Sequence, residues 1–165
     1  MSEADLPAIA MEALRAHVEH AIADLPGAPT ALVSSPWRAP EHGVFVHLHA
    51  LAPILGQDAR PRPATSTPPS AGWALRVLIG AFGPHDLAVH RLMGRVAATL
   101  QGAPVLTAEA LAAAARALEL DGAAVAGRRA QLMREDLGID DMTRLWQRFA
   151  PMRYSLSEPC RILLA

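Results

Sequence analysis

Few residues in this chain have the type and spacing that chemistry needs. His47 and His49 stand two apart in the stretch HGVFVHLH, residues 42–49. If that stretch is extended, both imidazoles point to one side of a strand. There they could begin a metal site, completed by His42 or a carboxylate. Two ligands alone do not hold zinc, and alternation with Val46 and Leu48 is equally what a half-exposed strand requires. His17 and His20, like Asp86 and His90, lie about one helical turn apart and read as solvated helix faces. None of Ser34, Ser35, Ser70, Ser155 and Ser157 sits in a G-x-S-x-G elbow. Cys160 is the single cysteine, so no internal disulfide can form, and beside Pro159 it reads as a small buried hydrophobe. Asp140 and Asp141 open a helical segment, where carboxylates favour the dipole; a catalytic acid pair is the weaker reading. The stretch LIGAFGPH, residues 78–85, lacks the G-x-G-x-x-G of a phosphate loop. No catalytic residue and no cofactor emerge, and the balance favours a binding or assembly protein.

Composition narrows the classes further. A chain of 165 residues with 52% apolar content is expected to form one domain, residues 1–165, with a real core. The net charge is −1 and no basic stripe is visible, which argues against nucleic acid as the main partner. All fifteen basic residues are arginine. Without lysine there is neither a Schiff base nor a P-loop lysine, while the guanidinium fork suits protein interfaces. The N-terminal stretch has acids where a signal peptide has its basic region. No run of about 18 apolar residues exists to span a bilayer, so a cytoplasmic origin without membrane insertion is the expectation.

The elements that would position these residues follow from periodicity. Met11, Leu14, Val18, Ile22 and Leu25 recur at helical spacing, ending at Pro26-Gly27. TALVSS (30–35) and GVFVHLHALAPIL (43–55) are strand candidates. Residues 58–72 carry four prolines and no large apolar side chain, and form a loop or arm. WALRVLIGAFG (73–83) is nearly continuous in apolar residues, as a central strand covered on both faces would be. A helix follows Pro84, with Val89, Leu92, Met93, Val96 and Leu100 on one face. Thr107 is a plausible cap for an alanine-rich helix. RRAQLMRED (128–136) is a further strand candidate. Ile139, Met142, Leu145, Trp146 and Phe149 give a short amphipathic helix, and MRYSLSEPCRILLA (152–165) a last strand. Pro159 cannot donate to a ladder, so that strand is expected at an edge or kinked there. The order predicts an α/β (α+β) domain: a mixed sheet of about four to five strands with helices packed on it.

Two stretches resemble a known family. In HRLMGRVAATLQGAPVL, Leu92, Met93, Gly94, Leu100, Pro104 and Leu106 fit a helix-and-turn pattern. In IDDMTRLWQRFAPMRYSLSEPCRILL, Leu145 and Trp146, then Tyr154 and Ser157 three apart, fit a helix followed by a β-strand. Together they are similar to the N-terminal cap domain of contractile injection systems, the phage-tail-like particles of the virulence-cassette and antifeeding-prophage kind. The resemblance runs over essentially the whole chain, and its motifs are structural. It implies a tail-terminator-like fold that closes the distal end of inner tube and sheath and ends their polymerisation. It further implies a self-associated ring of six copies, tube and sheath proteins as partners, no enzymatic activity, and residence in a particle assembled in the cytoplasm and released. Exposed edge strands allow one chain to extend another's sheet. On that ground the terminal strand and the Pro-rich arm are the candidate contacts. Two other readings remain: a small metal- or ligand-binding enzyme using the His47/His49 face, and a protein–protein adaptor domain.

Overall fold

The helical period near the N-terminus is realised as α1, Leu6–Ile22, in the computed structural model, which describes residues 3–54 and 72–164. Met11, Leu14, Val18 and Ile22 are buried along it, and Leu25 packs on the same core beyond its end. The strands are β1 (Thr30–Val33), β2 (Gly43–Ile54), β3 (Gly72–Phe82), β4 (Val105–Leu106), β5 (Ala130–Arg134) and β6 (Ser157–Leu164). Between them lie α2 (Asp86–Gly102), α3 (Ala108–Ala117) and α4 (Ile139–Gln147). His85 caps α2, its Nδ1 accepting from the Ala88 N–H at 3.1 Å, and Thr107 caps α3 by accepting from the Ala110 N–H at 3.3 Å. Each cap satisfies a helix-start donor that has no partner within its helix. The Pro-rich stretch falls at residues 58–72, and all of it but Gly72 lies outside the described residues.

The strands form one mixed sheet in the order β1-β2-β3-β6-β5-β4, with β1 parallel to β2 and every other pair antiparallel. This is one strand more than expected. The extra strand is β4, whose two residues are too few to show any hydrophobic period. The central position expected for residues 73–83 is met: β3 runs between β2 and β6.

The terminal strand departs from expectation. β6 is not an edge; it lies between β3 and β5. The Pro159 carbonyl accepts from the Glu135 N–H at 3.0 Å, so that side of the residue faces the β5 flank. In an antiparallel ladder a residue's N–H and C=O point the same way. The donor that proline lacks would therefore also point toward β5, whose ladder has ended at Arg134, opposite Cys160. Proline is thus tolerated inside the sheet because one neighbour stops short. The free edges are β1 and β4.

The two faces of the sheet are buried unequally. Val44 and Val46 of β2, Leu75, Val77, Ile79 and Ala81 of β3, and Cys160, Ile162 and Leu164 of β6 meet α1, α2 and α3 in the larger core. Side-chain alternation sends Phe45 and Leu78 to the opposite face. There they join Leu145, Trp146 and Phe149 in a second, smaller core. Gly80 makes that approach possible: a Cβ at this position would lie 2.4 Å from the Phe45 Cζ. Gly94, in the middle of α2, is exposed and has nothing within 4 Å of such a Cβ. Opposite effects follow. Gly80→Ala is expected to lower the unfolding free energy by about 1–3 kcal/mol through overpacking. Gly94→Ala is expected to raise it by about 0.5–1 kcal/mol, the usual helical gain. Urea midpoints of the two variants check both signs.

Candidate functional site

The second face of the sheet gathers most of the residues with chemical character. Of the seven aromatic residues in the chain, six touch one another there, and only Trp73 packs elsewhere, against the larger core. Phe45 meets Phe82 at 5.8 Å and Trp146 at 6.3 Å between ring centroids. Phe149 meets Trp146 edge-on at 5.7 Å and Trp37 at 5.3 Å. Tyr154 lies 5.2 Å from Trp146. Edge-to-face pairs of this kind add about 0.5–1.5 kcal/mol each beyond their burial. They compensate for the shortness of α4, a nine-residue helix that would not persist alone. Ile139, expected on this apolar face, is instead 83% exposed. It is the first residue of α4, and the cluster is reached instead by Leu137 before it and by Met142 one turn later.

Two hydroxyls tie the helix and its exit to the sheet. Trp146 Nε1 donates to Ser157 Oγ at 3.1 Å, linking α4 to the first residue of β6. The buried Ser155 hydroxyl donates to the Ala81 carbonyl of β3. Just before these two serines Tyr154 is left 61% exposed, and a cis peptide bond precedes Pro151. The remaining motif residues have plain roles. Leu92 and Leu145 are buried, and the Pro104 carbonyl accepts from the Leu132 N–H at 2.7 Å, holding β4 beside β5.

His47 and His49 do share this face, as their spacing predicts, but the structure gives each separate company. The His47 ring packs edge-on against Phe149 at 5.2 Å. His49 sits at a register shift between Leu48 and Ala50, near Glu135, Arg76 and Arg148. Among the described residues no group of three or more His, Cys, Asp or Glu side chains is placed to hold a metal. His42 lies apart, lining a cleft of about 280 Å³ with Gly27, His85 and Arg91. His17 is half-buried, while His20, Asp86 and His90 are exposed. Burial pushes the Cys160 thiol up to about 12, so it is not a nucleophile at neutral pH.

Beside the histidines runs a polar band that sequence reading missed. Glu135 Oε1 pairs with Arg76 at 3.0 Å and with Arg161 at 2.7 Å. Arg76 and Arg161 are opposite partners on β3 and β6, while Glu135 follows the end of β5. Nothing in the local pattern brings three such distant positions together; only the strand order does.

The free edges offer less than the faces. On the β2 side of β1, the Thr30 N–H donates to the His42 carbonyl just before β2 and the Ser34 N–H to the Val46 carbonyl, so the Ala31 and Val33 backbone groups face outward. The Ala31 carbonyl already accepts from Arg15 at 3.4 Å. Arg15 is held in turn by Glu12 and Glu19, which raise its pKa above the ordinary value, Glu12 foremost. A short strand guarded by a charged side chain is a blunted edge. The two-residue β4 offers little more.

Residues 11–164 match the family model described as the Pvc16 N-terminal domain. Among solved structures the chain is similar to the one described as the PVC sheath/tube terminator of an extracellular contractile injection system, seen by cryo-electron microscopy in the extended state. The TM-score is 0.57 at 15% sequence identity, over 99% of this chain and 55% of that one. At that identity the likeness shows the fold, and this chain spans about half the length of the terminator. No curated protein matches the sequence.

The histidines give a pH signature. Burial lowers the pKa of His17, His47 and His49, with Glu135 partly offsetting the effect at His49. A folded pKa below the unfolded one, ordinarily about 6.5, means the unfolded chain takes up protons first as pH falls. Stability is therefore expected to be flat above about pH 7 and to decline as the pH drops below about 6.5. Replacing His47 and His49 by glutamine should flatten that decline. Urea midpoints between pH 5 and 8 measure it.

Proposed function

The chain belongs to the Pvc16 N-terminal domain family, and from that premise we propose that it is a structural terminator of a contractile injection system. It would close the distal end of the inner tube and sheath and stop their growth. The observation that carries this reading is the agreement of family and fold along the whole described sheet. The proposed role needs no reaction. It needs one surface that accepts the last layer of subunits and another that does not seed the next. The blunted edges of β1 and β4 suit the second demand, because they give strand-by-strand addition little to build on. A ring of six copies, with unlike faces meeting head to tail, would match the end of a tube. Partners would be tube and sheath subunits, and the assembled particle would carry the chain out of the cell.

Deleting the gene is expected to yield particles whose tubes and sheaths vary widely in length, with uniform length restored by the gene in trans. Length distributions from negative-stain micrographs read this out. Unchanged, uniform particles in the deletion strain would refute the terminator role.

A further inference from the structure

Among the described residues, no helix lies on one half of the second sheet face. α4 and the aromatic cluster cover the half that holds Phe45 and Leu78. Past the polar band, alternation places Ala50, Ala52, Ala74, Met133 and Leu163 on the same face. Ala50, Ala52 and Met133 are exposed, and Ala74 and Leu163 partly so. Ala50, Ala52, Ala74, Arg76 and Arg161 line a shallow groove there of about 310 Å³. Small apolar side chains form its floor, and two guanidinium groups form the border with α4.

We propose that this bare half-face is a docking surface for an amphipathic helix of another protein, apolar on one side and bordered by carboxylates, lying alongside α4. Charge argues for the acidic border. Arg76 and Arg161 share a single carboxylate oxygen, Glu135 Oε1, and Arg148 stands close enough to depress the charging of His49. Cations therefore outnumber anions along the band in a chain whose net charge is −1. The band is also incompletely satisfied within the chain. Glu135 Oε2 and His49 Nε2 are both shut off from solvent without a hydrogen-bond partner among the described residues. The alanine floor argues for a helix, because small side chains let a helix backbone approach a sheet closely. The same face already accepts one amphipathic helix, α4, on its other half. This surface does not depend on the terminator reading; that reading bears only on which protein supplies the helix.

The test uses the full chain and a fluorescein-labelled peptide of about five helical turns, with leucine and alanine on one face and glutamate along its border. Anisotropy titration is expected to show saturable binding. Arg76→Ala should weaken it about tenfold, since Arg161 remains to hold Glu135 in place. Ala52→Glu, an exposed change that leaves the fold intact by circular dichroism, should abolish it. Equal binding of a peptide with lysine in place of glutamate would overturn the proposal, as would wild-type affinity in both variants. Preferential binding of a single-stranded oligonucleotide of equal charge would assign the band to nucleic acid instead, and also overturn it. Peptide binding that appears only when Ala59–Ser70 is removed would assign the face to the chain itself, with the same consequence.

Discussion

The placement of β6 between β3 and β5 is the constraint on which the rest of the structure depends. With β6 inserted, the last eight-residue strand completes the larger core and ties α4 to the sheet from the other side. Cys160, Ile162 and Leu164 face the three-helix side, while Ser157 and Arg161 reach the other. A chain segment added at an edge would complete only one ladder. An inserted strand closes two, and fixes the positions of Arg76, Glu135 and Arg161 relative to one another. The price of insertion is a proline in a ladder, and it stays small because β5 ends where Pro159 would need a donor.

From that arrangement follows the asymmetry of the sheet. One face buries a large aliphatic core under α1, α2 and α3. The other carries a compact aromatic core under α4, the one α-helix on that face among the described residues. Aromatic pairing gives a short helix enough hold to stay docked, and hydrogen bonds from Trp146 and Ser155 fix its register on the strands. The edges are blunted, while among the described residues the rim aromatics Trp37 and Tyr154 stand 55% and 61% exposed beside the second core. Partly exposed Trp and Tyr beside arginine are the side chains that most often dominate protein interfaces.

Much of this was legible in the sequence, for identifiable reasons. α1 and α2 declare themselves because their buried residues repeat at helical spacing, and β3 because it is apolar almost throughout. Thr107 could be read as a cap because its mechanism is local. The family resemblance rested on Leu92, Pro104, Leu145, Trp146 and Ser157, which prove to be core, ladder and tie residues, and on Gly94 and Tyr154, which are exposed. What escaped was set by tertiary order. β4 is too short to have a period. Pro159 reads as an edge signal until the length of its neighbour is known. The Glu135 cluster joins Arg76 of β3, 59 positions before Glu135, with Arg161 of β6, 26 positions after it, a relation that no local pattern encodes. The spacing of His47 and His49 puts both on one face of a strand, but only the fold shows an aromatic ring against one and a carboxylate with two guanidinium groups near the other.

The proposed terminator role is one of position. Location is therefore the decisive observable. Particles purified from a strain carrying an affinity-tagged copy of this chain, decorated with gold and imaged by electron microscopy, should carry label at one end only, where tube and sheath stop. Label spread along the sheath, label at the opposite end, or unlabelled particles with the tagged chain free in solution would contradict it.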